Sequence, residues 1–378
     1  MNKLKSNVKS VYIHIPFCNS ICSYCDFCKI YYNEDIVNKY LDTLIEEIKS
    51  EYNGEKLQTI YIGGGTPSCL NYDQLVKLLE ILDIFVKEED CEITFECNIE
   101  SINKEKLELL YNSKINRLSI GIESFNSDII KFLNRKHTKE EAINKILMAK
   151  EIGFNNINID LMYAITGESM EILSSDINTI LSLDIEHIST YSLIIEPHTV
   201  LYNNKIDYID EDIDYNMYQT ICTQLNKNGY KHYEISNFAK EGYYSKHNLT
   251  YWNNLEYYGF GAGASGYINN VRYDNTRSIT KYINKEYRLK EDFLSFNATV
   301  ENEFILGLRK INGIDLLSFE EKYGFRVTDL KVIKRLLNEK KVVIKDGYLS
   351  IQHDYIYREN DILINFLDID YEIVKTIF

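Results

Sequence analysis

The sequence predicts an α/β protein: a full or partial six-unit parallel β/α barrel, an α+β segment, and a small winged-helix-like C-terminal domain. Three observations carry this expectation. From Val11 to Ile194, short β-type runs alternate with longer helical patterns, which implies a parallel sheet with right-handed crossovers. Six such units occur with no obvious dinucleotide fingerprint, which favours a barrel. The end of the chain breaks the rhythm with three helical patterns and a hairpin. Domain boundaries are expected at 1–205, 206–295 and 296–378.

The expected strands are Val11–Ile15, Thr59–Ile62, Cys91–Glu96, Arg117–Ile122, Asn156–Met162 and His187–Ile194. They are rich in Ile, Tyr and Val and are bounded by Gly, Asn or charge. Between them, Ile36–Glu51, Tyr72–Phe85, Lys139–Ile152 and Met170–Leu183 space apolar residues by three and four, as helices do. Past the acidic stretch Asp207–Asp214, a helix is expected at Tyr215–Asn228, then short strands and the glycine-rich run Gly259–Gly266. Helical patterns follow at Val300–Lys310, Ile314–Tyr323 and Asp329–Glu339. Val342–Lys345 then turns at Asp346-Gly347 into Tyr348–Ile351. From Thr328 onward, eight basic residues face nine acidic ones, so this domain is expected to pack rather than bind DNA.

The whole chain carries 57 acidic and 42 basic residues among 378, a net charge of −15, which argues against a general nucleic-acid or anionic-membrane binder. A hydrophobic fraction of 45% excludes disorder, and no apolar run reaches the ~18 residues of a membrane span. Lys3, Lys5 and Lys9 precede only a short apolar stretch containing His14. That is not a signal-peptide pattern, and a cytoplasmic protein is expected.

In a reducing compartment, eight cysteines read as ligands or buried thiols. Cys69, Cys91, Cys97 and Cys222 are scattered, as buried thiols would be. The other four crowd into Tyr12-Ile-His-Ile-Pro-Phe-Cys18-Asn-Ser-Ile-Cys22-Ser-Tyr-Cys25-Asp-Phe-Cys28. Spacings of three and then two residues can curl three thiolates toward one centre. Structural zinc usually takes two ligand pairs a dozen or more residues apart, and no second pair follows here. Ferredoxin clusters use a different four-cysteine spacing. Three thiolates on a cubane leave one iron open to a chelating small molecule. Cys28, three residues beyond Cys25, is ambiguous by spacing alone and could ligate too.

Barrel chemistry gathers at the C-terminal ends of strands. Here the first strand leads into the cysteine loop and the second into Gly63-Gly64-Gly65-Thr66-Pro67, where a ligand can approach the backbone closely. The next strands end at Glu96, Glu123, near Asp160 and near Ser192. Carboxylates on one rim suit a polar cofactor with hydroxyls and an ammonium, and Arg135 can pair with one of them.

The segments YIHIPFC, YIGGGTPS, EITFECN, RLSIGIESF, NIDLMY, HISTYSL, HYEISNFA, HNLTYW, GFGAGASG and ENEFILGLR, in this order from Val11 to Leu349, resemble the oxygen-independent coproporphyrinogen III oxidase-like proteins of the radical S-adenosylmethionine (SAM) family. The resemblance implies a radical SAM barrel in which Cys18, Cys22 and Cys25 ligate a [4Fe-4S] cluster, and Cys28, outside that three-ligand pattern, is read as non-ligating. Tyr12, Tyr24, Gly64, Gly65, Thr66, Glu96, Glu123, Arg135 and Asp160 would contact SAM. Position 123 is usually Gln in this family, and Glu123 keeps the acceptor but loses the amide donor.

Two branches of the family differ in ways visible here. The oxidase, which acts in porphyrin biosynthesis, has a long segment before the cluster loop and a further cysteine two residues after the third ligand. In this chain ten residues precede the first strand, and that position is Phe27. The heme chaperone branch carries His-Asn-x-x-Tyr-Trp, matched by His247-Asn248-Leu249-Thr250-Tyr251-Trp252. The resemblance to this branch implies heme as cargo contacted by His247, a recipient hemoprotein, an electron donor, and no more than peripheral contact with membrane-bound targets. His14 is expected to be structural or to support the residues that touch the ligand.

Overall fold

The computed structural model describes residues 8–377. Six parallel strands form its centre: β1 (Ser10–Ile15), β2 (Leu57–Gly64), β3 (Lys87–Asn98), β4 (Arg117–Glu123), β5 (Ile157–Tyr163) and β6 (His187–Ser192). Three further strands extend the sheet: β7 (Lys231–Glu234), β8 (Asn237–Ala239) and β9 (Tyr258–Phe260). The order is β9-β1-β2-β3-β4-β5-β6-β8-β7. The result is a partial barrel: β9 joins β1 in parallel, while β8 and β7 are antiparallel at the other edge. The glycine-rich run thus supplies a strand, with Gly259 and Gly261 flanking Phe260.

Period-two alternation explains how these strands serve two surfaces. In β4, Leu118, Ile120 and Ile122 are fully buried on the helix side. Arg117, Ser119, Gly121 and Glu123 face the interior, and in β5 so do Asn158, Asp160 and Met162. The barrel therefore has an apolar shell and a polar lumen.

The covering helices are α1 (Glu34–Glu51), α2 (Tyr72–Glu80), α3 (Lys104–Asn112), α4 (Ser127–Phe132), α5 (Lys139–Ile152), α6 (Met170–Ser182) and α7 (Glu211–Lys227). Asparagines serve many starts: Asn33, Asn71, Asn103 and Asn126 each accept a backbone N–H in the first turn of the helix that follows. Helix α5 begins with the Thr138–Glu141 capping box. The two shortest of these covering helices besides α2, namely α3 and α4, carry too few periodic apolar residues to be read from sequence.

A seven-residue helix, α8 (Lys246–Trp252), closes the N-terminal end of the barrel. Ser10, Thr59 and Glu92 lie in register across β1, β2 and β3. Ser10 Oγ bonds Thr250 Oγ1 at 2.8 Å and Thr59 Oγ1 bonds His247 Nδ1 at 2.8 Å. The Glu92 carboxylate accepts the backbone N–H groups of Lys246 and His247 at 3.1 and 3.0 Å. A carboxylate on a helix N-terminus is favourable by both hydrogen bonding and dipole.

A three-stranded antiparallel sheet follows, made of β10 (Ser265–Ile268), β11 (Val271–Asn275) and β12 (Arg288–Phe293). It is tied to α1 through buried Glu47, which accepts from Gly261 N at 2.9 Å, Asn275 Nδ2 at 2.8 Å and the Tyr282 hydroxyl. Next come α9 (Phe296–Gly307), β13 (Ile314–Asp315), α10 (Leu316–Tyr323), α11 (Lys331–Asn338), β14 (Val342–Lys345) and β15 (Tyr348–Ile351). The sheet order β13-β15-β14 gives the winged-helix arrangement. Asp346 and Gly347 both adopt positive φ, at 50° and 85°, as a two-residue hairpin turn requires. Among the described residues no helix is long and apolar enough to cross a membrane.

Candidate functional site

Beyond β1 the chain turns at Pro16 into a loop closed by the parallel pairing of Phe17–Cys18 with Ile30–Tyr31. Its far side is sewn to the end of α4: Ser23 N donates to Leu133 O at 3.0 Å, and Asn134 Nδ2 to Ile21 O at 2.8 Å. Cys18, Cys22 and Cys25 all open onto one cavity of about 430 Å³ at the C-terminal ends of the strands. Burial pushes the Cys18 thiol up to about 11, against a 3.5 Å contact with Thr66 Oγ1, and burial also raises Cys25. Thiols in this state are protonated until a cation favours the thiolate, so metal loading here releases protons.

The second wall is the triple glycine. A Cβ at Gly65 would lie 2.9 Å from the Phe17 backbone and 3.0 Å from Cys18 Sγ, and one at Gly63 would meet the Glu96 carboxyl at 2.6 Å. The glycines therefore form a cradle that no side chain could share. Three sulfur donors around a cavity wall, beside bare backbone, fit a polynuclear cluster with a small ligand next to it. Cys28 stands apart. Its thiol donates to Arg277 O at 3.4 Å and faces a separate cavity of about 270 Å³ with Tyr12, His14 and Tyr251.

The carboxylates come together as expected. Glu96, Glu123 and Asp160 line the cysteine cavity with Tyr24, Gly64, Gly65, Thr66 and Arg135. Glu96 accepts from Tyr61 Oη at 2.7 Å and Gly64 N at 2.9 Å, yet burial outweighs these bonds and pushes it up to about 7. Burial likewise raises Asp160, against the bond from Asn158 Nδ2 at 2.8 Å. Glu123 has φ of 65° at an irregularity where β4 pairs with β5, a conformation that aims its carboxyl inward. Burial pushes it up to about 7, against the Arg135 guanidinium 3.8 Å away. Arg135 also reaches Asn98 Oδ1 at 3.3 Å, Cys22 Sγ at 3.6 Å and Gly121 O. It is the link between the cysteine loop and the strand ends.

Two expected contacts lie elsewhere. Tyr12 does not line the cysteine cavity: its hydroxyl bonds His14 Nδ1 at 2.9 Å, and the other His14 nitrogen bonds Cys28 O at 2.8 Å. Both His14 nitrogens are thus engaged within the protein, and one of them holds Tyr12. His247 needs a larger correction. It sits in the helix that plugs the N-terminal end of the barrel, about 16 Å along the strands from the cysteine loop. It is 1% exposed, and its second nitrogen bonds Tyr251 Oη at 2.8 Å. Burial lowers it to about 3, so it is neutral with both nitrogens occupied. This conformation offers no free axial nitrogen to heme iron. The reason is helical geometry: His247 and Tyr251 are four apart and share the inward face. The HNLTYW box reaches the cavity through Asn248 instead.

Sequence reasoning passed over Tyr61, Asn98, Ser119, Asn158, Ser189 and Arg117, which also line the cavity. Stepping by two from Glu96 and Asp160 finds Asn98 and Asn158. Nothing in sequence marks Arg117 as an interior charge.

A parallel partial barrel with three cysteines in the loop after its first strand and bare glycines after its second defines a radical SAM protein. The model of the Radical SAM superfamily matches residues 12–180. Among relatives, "Heme chaperone HemW" of Lactococcus lactis subsp. lactis (strain IL1403) is 43% identical over 88% of this chain and 92% of its own length. The protein of the same name from Bacillus subtilis (strain 168) is 38% identical over 95% of this chain and 99% of its own. The solved structure of coproporphyrinogen III oxidase (HemN) from Escherichia coli superposes with a TM-score of 0.85, covering 97% of this chain and 91% of that one, at 22% identity, a likeness of fold. The chain belongs to the HemW-like branch of the oxygen-independent coproporphyrinogen III oxidase-like radical SAM family.

Proposed function

We propose that this protein holds a [4Fe-4S] cluster through Cys18, Cys22 and Cys25 with SAM beside it, binds heme as cargo, and hands it to hemoproteins in the cytoplasm. The reading rests on relatives named as heme chaperones that match it over most of its length. Bound together, the cluster and SAM supply one-electron chemistry at the sulfonium. The chain's part is to orient and enclose. Gly64 and Gly65 expose backbone to the methionine end, Glu96 and Asp160 offer acceptors, and Arg135 balances the charge of the cysteine loop. An electron donor and a recipient hemoprotein complete the set, the latter free to be membrane-bound.

Heme added to the anaerobically reconstituted protein should give a tight complex that loads an apo-cytochrome, followed by the Soret band. Absence of heme binding together with decarboxylation of coproporphyrinogen would place the protein with the oxidases.

Glu123 supplies a pH signature. Below about 7 its carboxyl is protonated and carries an O–H in place of the family's amide donor. Above that pH it becomes acceptor-only. Wild-type affinity for SAM should therefore fall about tenfold between pH 6 and 8.5, the worth of one hydrogen bond. Glu123→Gln should hold its affinity across that range. Parallel pH profiles for the two proteins would remove Glu123 from this role.

A further inference from the structure

Arg117 is the largest fully buried side chain, 2% exposed, and lines the cysteine cavity from below. Among the described residues its guanidinium makes no hydrogen bond and no close ion pair, its Nε is enclosed without a partner, and its charge reaches Glu96 and Asp160 only at longer range. Thr94, its register partner on β3, has an equally orphaned hydroxyl. Asn248, rising from the plug helix, lines the same cavity, and among the described residues its carboxamide makes no hydrogen bond. The nearby carboxylates are engaged already, Glu96 by Tyr61 and Gly64, and Asp160 by Asn158.

A buried guanidinium without an acceptor is strongly unfavourable, and its planar fork matches a carboxylate. Arg117 pairs with Thr94, two residues before Glu96, so its backbone sits about 7 Å deeper than that of Glu96, and deeper still below Asp160 and Glu123. Those carboxylates repel a dianion such as phosphate more strongly than a singly charged group.

Resting on the function proposed above, we propose that Arg117 and Asn248 form a second anchoring subsite at the cavity floor, which takes the carboxylate of a ligand entering from the rim. Two ligands carry such a group: a tetrapyrrole, on its propionates, and SAM, on its amino-acid end.

The test measures affinities of the reconstituted protein for heme and its dimethyl ester, and for SAM and its decarboxylated analogue. Wild type is compared with Arg117→Met, Arg117→Lys and Asn248→Ala. Arg117→Met should weaken one acid by about 10- to 100-fold, as loss of a charge-assisted hydrogen bond does, and leave its carboxylate-free partner unchanged. Arg117→Lys should keep part of the preference, and Asn248→Ala should lose a smaller part. Which pair responds identifies the ligand. Iron content and circular dichroism confirm that each variant folds, and the Asn248 variant tests the floor without removing a buried charge. If every variant keeps both acid preferences of the wild type, the subsite is refuted. Failure of the wild type to bind heme counts against heme transport, while the SAM pair still decides the subsite.

Discussion

Replacing Cys18, Cys22 or Cys25 singly with alanine should leave the reconstituted protein colourless, its iron falling from about four per chain to background. Cys28→Ala should stay brown with full iron. The contrast follows from position. The first three thiols open on one cavity, whereas the Cys28 thiol faces the Arg277 carbonyl, with its Cβ 2.4 Å from where a Cβ at Gly263 would stand. Iron analysis and the visible spectrum of the four variants decide the matter. Loss of iron in Cys28→Ala, with the fold intact by circular dichroism, would mean that the fourth corner of the cluster is filled by protein. The open position needed by SAM would then be gone.

Arg135→Met should destabilise the protein by about 3–5 kcal/mol, the usual effect of breaking a buried charge pair. Burial opposes the Arg135 charge, but Cys22, Glu123, Tyr24 and Glu100 together hold it firmly protonated. Without it, Glu123 keeps only the hydrogen bond with Tyr24 in favour of its ionised form, against burial and the charges of Asp160 and Glu100. The loss should therefore grow with pH. Below about 7 the Glu123 carboxyl is neutral in wild type and variant alike, and only Arg135's hydrogen bonds and its pairing with Glu100 are lost. Above about 7 the wild-type carboxylate ionises beside Arg135, whereas in the variant that charge goes uncompensated and Glu123 is held protonated to higher pH. Urea unfolding at pH 6 and pH 8.5 measures both values. A difference independent of pH would show that Arg135 and Glu123 do not act as a pair.

Much of the site was legible because its chemistry is local. The spacing Cys-x3-Cys-x2-Cys lies within one loop, the triple glycine within one turn, and Glu96, Glu123 and Asp160 each stand at or near a strand end. Their convergence on one cavity follows once the strands are parallel and consecutive. His247 shows the opposite case. The resemblance made it a heme contact, but its partners Thr59 and Tyr251 are supplied by a distant strand and by the next turn of its own helix. Tyr12 was displaced in the same way, by His14 two residues on.

By itself the sequence determined the alternation of strand and helix, the hairpin at Asp346-Gly347, and the cysteine and glycine loops. Each depends on backbone preferences and side-chain periods within a few residues. Tertiary structure decided which faces of those strands look inward, that the HNLTYW helix plugs the barrel's far end, and that Arg117 lies unpaired beneath the cysteines. Those outcomes depend on burial, and whether a polar group gains or loses by leaving water is set by neighbours that only the folded chain brings within reach.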